Sequence, residues 1–440
     1  MGDQTIYAPA SGQAKAGIAV LRISGPAAGV AARAITARPL PQARMAARRR
    51  FIDPSDESVI DEGLLLWFPA PASYTGEDVA ELQVHGGMAV RAALMRVLGA
   101  LPDCRLAEPG EFTRRAFLNG RMDLSQAEGV VDLIEAETEA QRAQALRQAE
   151  GGLAQRCQDW AGRLLTLAAH AEALIDFPDE ELPPEVRSRN EIEMQRLRDG
   201  LTQALGSSAR GERVRDGVRV AIVGPPNAGK SSLLNRLAGR DAAIVNARAG
   251  TTRDVIEVAM DLDGYAVTLS DTAGLRAASD EIEGEGVRRA QAIARGADII
   301  LAVRAVDEPT PIDAWLDGAQ AERIVQIVNK IDLGHGVGLD EAAIALSVES
   351  GAGWDGFVER LSGLVRDVAG LSETAGLTRA RHREAVSECV AALTRAQAID
   401  QPDLQAEDLR MAVRALGRIT GAVDVEDILD VVFRDFCIGK

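Results

Sequence analysis

The strand-like run VRVAIVG (218–224) leads directly into GPPNAGKSS, a GxxxxGK[ST] loop, and then into the helix-like SLLNRLAG. In that context the chemistry is phosphate binding: N–H groups of the loop and helix start point at phosphate oxygens, and the helix dipole favours their charge. Asn227, Ala228, Gly229, Lys230, Ser231 and Ser232 are the candidate contacts, with Lys230 reaching the β- and γ-phosphates and Ser231 ligating Mg2+. Three further stretches follow in order. AGTTRD (249–254) places Thr251 and Thr252 where they can close over a γ-phosphate and its metal. SDTAG (270–274) follows the β-type run YAVTLS, putting Asp271 at a strand end near Mg2+, then Thr272, Ala273 and Gly274, whose N–H can sense the γ-phosphate. IVQIVNKID (324–332) ends a strand with Asn329, Lys330 and Asp332, and ALSV (345–348) offers Ser347 to a base-contacting loop. A carboxylate at 332 accepts from guanine's ring N–H and exocyclic amine; adenine would leave a buried Asp332 unsatisfied, which discriminates by several powers of ten. Together these stretches predict a magnesium-dependent GTP-hydrolysing domain.

One residue departs from the Ras pattern. After DTAG, Ras-type enzymes carry a Gln that orients the attacking water, and this chain has Leu275, which cannot hydrogen-bond. Hydrolysis therefore needs another residue, ion or subunit. Asn227 is a neutral oxygen ligand beside the phosphates, so a monovalent cation held by it and by carbonyls of the 246–251 loop would supply positive charge.

A second candidate centre lies in FRDFCIGK, where Cys437 stands close to Lys440. Gly439 breaks any helix there, so this thiol has no periodic face to occupy, and a neighbouring cation raises the thiolate fraction of a cysteine. Cys157 (with Leu153, Trp160, Ala161 and Leu164) and Cys389 (with Val386, Val390 and Leu393) follow the spacing of buried helix faces and are expected to be core residues. Cys104, in LPDCRLAEPG, reads as a turn residue. No CxxC pair suggests zinc or a disulfide framework. His85, in VHGG, reads as a hydrogen-bonded structural residue rather than a base.

Those residues need scaffolds, and the chain of 440 residues shows three textures. Residues 1–118 mix short β-type runs (GIAVLRISG, EGLLLWFPAP, VAELQVHGG) with the helical MAVRAALMRVLGAL, predicting a compact α+β domain. Residues 119–216 and 370–440 have helical composition, with a stripe at Leu409, Val413, Leu416 and Thr420 and another at Leu429 and Phe433. Residues 217–369 alternate β runs with amphipathic helices, which predicts a mostly parallel sheet. The economical arrangement is an all-helical domain interrupted by an inserted Ras-like α/β P-loop GTPase domain, so the fold class is multidomain α+β. The net charge of −17 opposes a surface that grips nucleic acid throughout. RMAARRR (44–50), Arg114–Arg115 and RARHR (379–383) are local basic clusters, read as solvated faces that leave room for a locally held RNA. No apolar run approaches the ~20 residues that span a bilayer. MGDQTIYAPASGQ lacks a basic region followed by an apolar stretch, so a cytoplasmic protein without membrane attachment is expected.

The residues resemble the bacterial tRNA modification GTPase family MnmE (TrmE) over essentially the whole chain. The resemblance is carried by LRISG (21–25), YTGEDVAELQVHGG (74–87), PGEFTRRAFLNGRMDLSQAE (109–128), IDFPDEE (175–181), GPPNAGKSSLLN (224–235), GTTRD, DTAGLR, NKID and the terminal FCIGK. It implies an N-terminal domain that dimerises and binds a one-carbon tetrahydrofolate (5,10-methylene, or its 5-formyl analogue), with contacts at Arg22, Glu81, Arg121 and Lys440. It also implies a homodimer, the FAD-carrying partner MnmG in a heterotetramer, and addition of an aminomethyl or carboxymethylaminomethyl group to carbon 5 of wobble uridine in certain tRNAs. Potassium is implied at Asn227, Asn246, the Arg248 carbonyl and Thr251, with Mg2+ at Ser231 and Thr252. Glu283 is implied to position the hydrolytic water as the two G domains meet, and Cys437 to act with the folate site. This chain departs from the family pattern at SGQAKAG (11–17), at Arg121 where Lys is common, and at LSV in the base loop. The rival from another class is an RNA-binding GTPase switch in ribosome assembly; it generally appends a basic RNA module, and acidic bulk charge with helices after the G domain speaks against it. A dynamin-like membrane GTPase lacks its amphipathic basic helix here.

Overall fold

The computed structural model describes residues 4–12, 14–176, 184–240, 256–271, 283–307, 312–317, 319, 323–334, 343–370, 376–423, 429, 432–433, 436 and 439. Two compact units emerge, Met1–Val131 with Gly417–Lys440, and Asp132–Leu416.

The first unit is built on β1 (Thr5–Pro9), β2 (Ala16–Ser24), β3 (Ala47–Ile52), β4 (Val59–Phe68), β5 (Val79–Gly86) and β6 (Cys104–Leu106). Its helices are α1 (Ala28–Thr36), α2 (Met88–Ala100), α3 (Glu111–Leu118) and the start of α4 (Leu124–Glu135). The sheet order is β3-β4-β5-β2-β1-β6, antiparallel except for the parallel pair β1–β6. Alternation decides which face is covered: in β5, Ala80, Leu82 and Val84 join Leu21, Ile23, Ala32, Ile35, Leu94 and Leu98 in one core. The opposite face at β1 packs Ile6 and Ala8 on Phe112 of α3. Phe433 and Phe436 of the terminal segment bury against Leu124 and Ala127 of α4.

One expectation changes here, and another gains a structural setting. Cys104 does not sit in a turn but opens β6, paired with Thr5; a strand of three residues is too short to show any period. RMAARRR becomes largely the edge strand β3, whose exposed Arg48 and Arg50 both pair with Glu62 of β4. Charged side chains on an edge strand block pairing with another sheet.

The second unit carries α5 (Glu139–Ala149), α6 (Gly152–Asp176) and α7 (Pro184–Asp216), then β7 (Val218–Val223), α8 (Lys230–Arg240), β8 (Ile256–Leu262), β9 (Tyr265–Asp271) and α9 (Glu283–Arg295). β10 (Ile299–Ala305), α10 (Asp313–Leu316), β11 (Arg323–Asn329), β12 (Ile344–Ala345), α11 (Trp354–Ala369), α12 (Ala380–Ala398) and α13 (Pro402–Thr420) follow, α13 running past the end of the unit. The strand order is β12-β11-β10-β7-β9-β8, parallel except for the β8–β9 hairpin. That order, with the phosphate-type loop leaving the central strand β7, is the Ras-like arrangement. Strands covered on both sides carry continuous apolar runs: Ile299, Leu301 and Val303 of β10 enter one core while Ile300 and Ala302 enter the other.

The inserted sheet is fastened to the helices before it. Thr138 and Gln141 form a reciprocal capping box that starts α5. Ala140 N then donates to Gly264 O at 2.9 Å, and Arg213 Nε of α7 donates to Asp298 Oδ1 at 2.7 Å. Cys157 and Cys389 are both buried, as their spacing implies, and burial pushes the Cys389 thiol up to about 12. RARHR is no solvated face: Arg379 reaches Asp132 at 2.6 Å, Arg383 reaches Glu212 at 2.7 Å, and His382 is fully buried. In α13 the buried face runs through Ala406, Leu409, Ala412, Ala415, Leu416 and Ile419, so Val413 and Thr420 lie beside the expected stripe. Among the described residues no helix is long and apolar enough to cross a membrane.

Candidate functional site

β7 ends the buried run Val220–Val223, and the chain turns through Gly224 into the loop before α8. Three backbone features shape that loop. Gly224 has φ +145, and a Cβ there would stand 2.0 Å from Val303 O. Asn227 holds φ +63 and is exposed. Gly229 holds φ +90, and its missing side chain leaves room for Asn329, whose Nδ2 would lie 2.2 Å from a Cβ. Lys230, the first residue of α8, donates from Nζ to Gly224 O at 2.8 Å and Pro225 O at 2.7 Å. Burial pulls its ammonium below the usual range, and Asp271 opposes that. Ser231 Oγ donates to Asp271 Oδ2 at 2.8 Å, so the two predicted magnesium-side residues meet although they are 40 positions apart.

The donor set fits a phosphate chain with Mg2+. A helix N-terminus and an ammonium would face such an anion, and a hydroxyl held by a carboxylate would give the metal a protein oxygen, with phosphates and water among the remaining ligands. No group of three His, Cys, Asp or Glu able to hold a metal by itself occurs among the described residues.

Asn329, buried at the end of β11, ties this loop to the predicted base loop. Its Nδ2 donates to Ala228 O at 2.9 Å, and its Oδ1 accepts from Val348 N at 3.1 Å. Lys330 has φ +64 and pairs with Asp307 at 3.5 Å. Asp332 stands on the single 3-10 turn Ile331–Leu333 and is exposed rather than buried, which corrects the sequence-based picture. Ser347 is fully buried, with its Oγ accepting from Ser350 N at 3.0 Å, so it shapes the loop by holding its turn.

In the first unit, Arg22 of β2 and Glu81 of β5 are register partners, and Arg22 Nε and Nη2 donate to Glu81 Oε1 at 2.9 and 2.8 Å. The same guanidinium lies 4.9 Å from the Tyr74 ring centroid and 5.7 Å from that of Phe112. Arg121 is exposed, and its Cγ lies 3.3 Å from where a Cβ on Gly76 would be. Ala8, the β1 partner of Arg22, is followed by Pro9, whose carbonyl oxygen stands 1.8 Å from the Cβ that Gly439 lacks. Arg22, Glu81, Tyr74 and Phe112 are thus gathered directly, and Gly439 lies against the strand beside them.

Sequence reasoning named Arg22, Glu81 and Arg121 but not the aromatic pair, which lay unassigned inside YTGEDV and GEFTRR. Those motifs also contribute to an ion network: Arg105 of β6 and Arg115 grip Glu111, and Arg115 Nη1 continues to Glu77 at 3.1 Å. Burial pushes the Glu111 carboxyl up, but Arg105, the Glu108 N–H and Arg115 outweigh it and hold it below the usual carboxylate range. His85 is held through Nδ1 and its backbone N by Asp61, both at 2.8 Å, in keeping with a structural role. Glu283 opens α9. Asn246, Arg248, Thr251, Thr252, Thr272, Ala273, Gly274, Cys437 and Lys440 lie outside the described residues.

Comparison with known proteins matches residues 5–121 to the family model "GTP-binding protein TrmE N-terminus" and residues 124–437 to "MnmE helical domain". The chain is 53% identical over 443 residues to the tRNA modification GTPase MnmE of Parvibaculum lavamentivorans, covering 99% of this chain and 100% of that protein. It is 49% identical over 456 residues to the protein of the same description from Rhodospirillum rubrum, covering 100% of both. The corresponding protein of Paramagnetospirillum magneticum is 51% identical over 446 residues, again covering 100% of both chains.

Proposed function

The chain belongs to the tRNA modification GTPase MnmE family, and from that premise we propose that it couples GTP hydrolysis to one-carbon modification of wobble uridine at carbon 5. The product is an aminomethyl or carboxymethylaminomethyl group, made by a cytoplasmic homodimer together with the FAD-carrying partner MnmG. The observation that carries this reading is the convergence in the first unit. Arg22 is held by Glu81 with its guanidinium over the Tyr74 and Phe112 rings, and Gly439 packs against Pro9 at the end of β1, next to Arg22's strand partner.

A guanidinium fixed over aromatic rings, with a carboxylate at its edge, suits a flat polar heterocycle such as the pterin of a tetrahydrofolate, whose one-carbon unit supplies the transferred carbon. Arg22, Glu81, Arg121 and Lys440 would hold that ligand. Phe436, buried on Phe433 with ring centroids 5.2 Å apart, and Gly439, packed on Pro9, flank Cys437 in the sequence. Cys437 then works beside the folate, as a nucleophile or as a positioning group. Nucleoside mass spectrometry on tRNA from wild-type, deletion and Cys437→Ser strains tests this reading. Loss of the carbon-5 substituent in both altered strains is expected. Loss in the deletion alone would make Cys437 a packing residue, and full modification in the deletion, with no paralogue to supply it, would move the protein to ribosome assembly.

At the nucleotide, Lys230 and the N–H groups of the 225–231 loop hold the phosphates, Ser231 with Asp271 sets the magnesium side, and Thr252 closes over it. Mg2+ bound with GTP offsets charge on the β- and γ-phosphate oxygens. Leu275 orients no water, so Glu283 at the head of α9 takes that task when two G domains meet. The missing positive charge is assigned to K+ at Asn227, Asn246, the Arg248 carbonyl and Thr251. Asn227 is exposed at φ +63 on the loop that faces the phosphates, which supports its part in that set. Turnover measured in matched chloride salts is expected to rise at least ten-fold in K+ over Na+, roughly the effect of one electrostatic donor at a developing charge. Equal rates in the two salts would remove the cation from the mechanism.

A further inference from the structure

Arg236, on the second turn of α8, and Trp354, the first residue of α11, stack with the guanidinium carbon 4.5 Å from the ring centroid. Trp354 is nearly buried and is itself packed on Phe357 at 5.5 Å, so the platform beneath the guanidinium is fixed by the core. From that platform Arg236 Nη1 donates to Val348 O. Val348 is the residue whose N–H is already taken by Asn329, and Asn329 in turn holds Ala228 of the phosphate loop. The contacts close a ring: Ala228, Asn329, Val348, Arg236, and back along α8 to Lys230. The base loop is therefore gripped at both polar atoms of one residue, once from the strand end and once from the helix that the phosphate loop begins.

We propose that the Arg236–Trp354 stack positions the base loop for guanine, and that it sets how fast guanine nucleotides leave. An arginine can stack flat on an indole and still donate from its edge in a fixed direction; a lysine cannot do both. With the clamp in place, the loop of Ser347–Gly351 is preorganised, and nucleotide binding does not have to order it. Without the clamp, the Val348 backbone keeps only its hydrogen bond to Asn329 beside the packing of its side chain on the core, and the loop is held less firmly against the base while the phosphates stay bound. The inference rests on guanine lying between Asp332 and this loop.

The test uses the full chain loaded with GDP carrying a fluorescent ribose tag, chased with excess unlabelled GDP. Arg236→Met is expected to release nucleotide about ten-fold faster with wild-type bound amplitude, the size of one charge-assisted hydrogen bond. Release of IDP should accelerate by the same factor, because hypoxanthine lacks only the amine that Asp332 reads. Arg236→Lys should fall between the two, and Trp354→Phe, which keeps a platform, should change the rate less than Trp354→Leu. A wild-type release rate at full amplitude in Arg236→Met overturns the proposal. So does reduced amplitude with an unchanged rate, which is the signature of a merely structural residue; Arg236→Gln, read the same way, guards against a variant that folds poorly. Wild-type protein that binds ADP as tightly as GDP would instead overturn the guanine reading beneath it.

Discussion

Asp332→Asn is expected to weaken GTP binding by about 10²–10⁴-fold, the range for losing two hydrogen bonds to a charged group. The carboxylate accepts from two neighbouring donors on the guanine edge. An amide in its place offers one acceptor and turns an NH2 toward a donor, so one bond loses its charge assistance and the other becomes a clash. Xanthine carries an oxygen where guanine carries the amine, and the same NH2 can donate to it. The variant should therefore gain XTP as it loses GTP, a reversal that simple damage to the fold cannot produce. The exposure of Asp332 on its single 3-10 turn makes the test clean, since no neighbouring group has to be repacked around the amide. Competition titrations with GTP and XTP on the full chain decide it; unchanged GTP affinity would take Asp332 out of base recognition.

What the sequence reveals about this molecule depends on how local the physics is. The phosphate loop is legible because its chemistry is contained in nine consecutive residues flanked by a strand and a helix, and β7 and α8 stand where those flanks predict. Asp271 and Ser231 are legible as separate signals, and their meeting at 2.8 Å follows from the parallel pairing of β7 with β9. The aromatic seat of Arg22 is not legible. Tyr74 and Phe112 reach it from a turn and a helix far along the chain, and nothing in their own surroundings marks them as partners of an arginine. Two of the basic clusters, RARHR and Arg114–Arg115, fail for the same reason. Arg379 looks solvated until Asp132, 247 positions away, is placed beside it. Short elements fail differently: β6 has three residues, and its parallel pairing to β1 leaves no period to read. Asp332 shows a further limit, because whether a recognition carboxylate is buried by the fold or by its ligand is a property of neither its type nor its spacing.

Gly439→Ala is expected to abolish wobble-uridine modification while leaving GTP hydrolysis intact. Two separate constraints meet at this residue. Its φ of +105 lies in a region that L side chains rarely adopt, and a Cβ there would stand 1.8 Å from Pro9 O and 3.3 Å from Ala10 Cα. Neither obstacle is the end of a flexible side chain; both are backbone of β1 and its exit, fixed by pairing to β2. The alanine can be accommodated only by lifting the terminus off the strand. Phe433 and Phe436 would remain buried on α4, so the loss is confined to the last residues, and the positive-φ penalty alone is about 1–2 kcal/mol. Lifting Gly439 off β1 would undo the proposed role of Cys437 and Lys440 at the folate site, while the nucleotide loop belongs to the other compact unit. The paired readout is nucleoside mass spectrometry of tRNA and GTP turnover of the purified variant. Modification retained at wild-type level would show that the tail need not seat on β1. Modification and turnover lost together would show that the terminus acts through the fold as a whole rather than through the folate site.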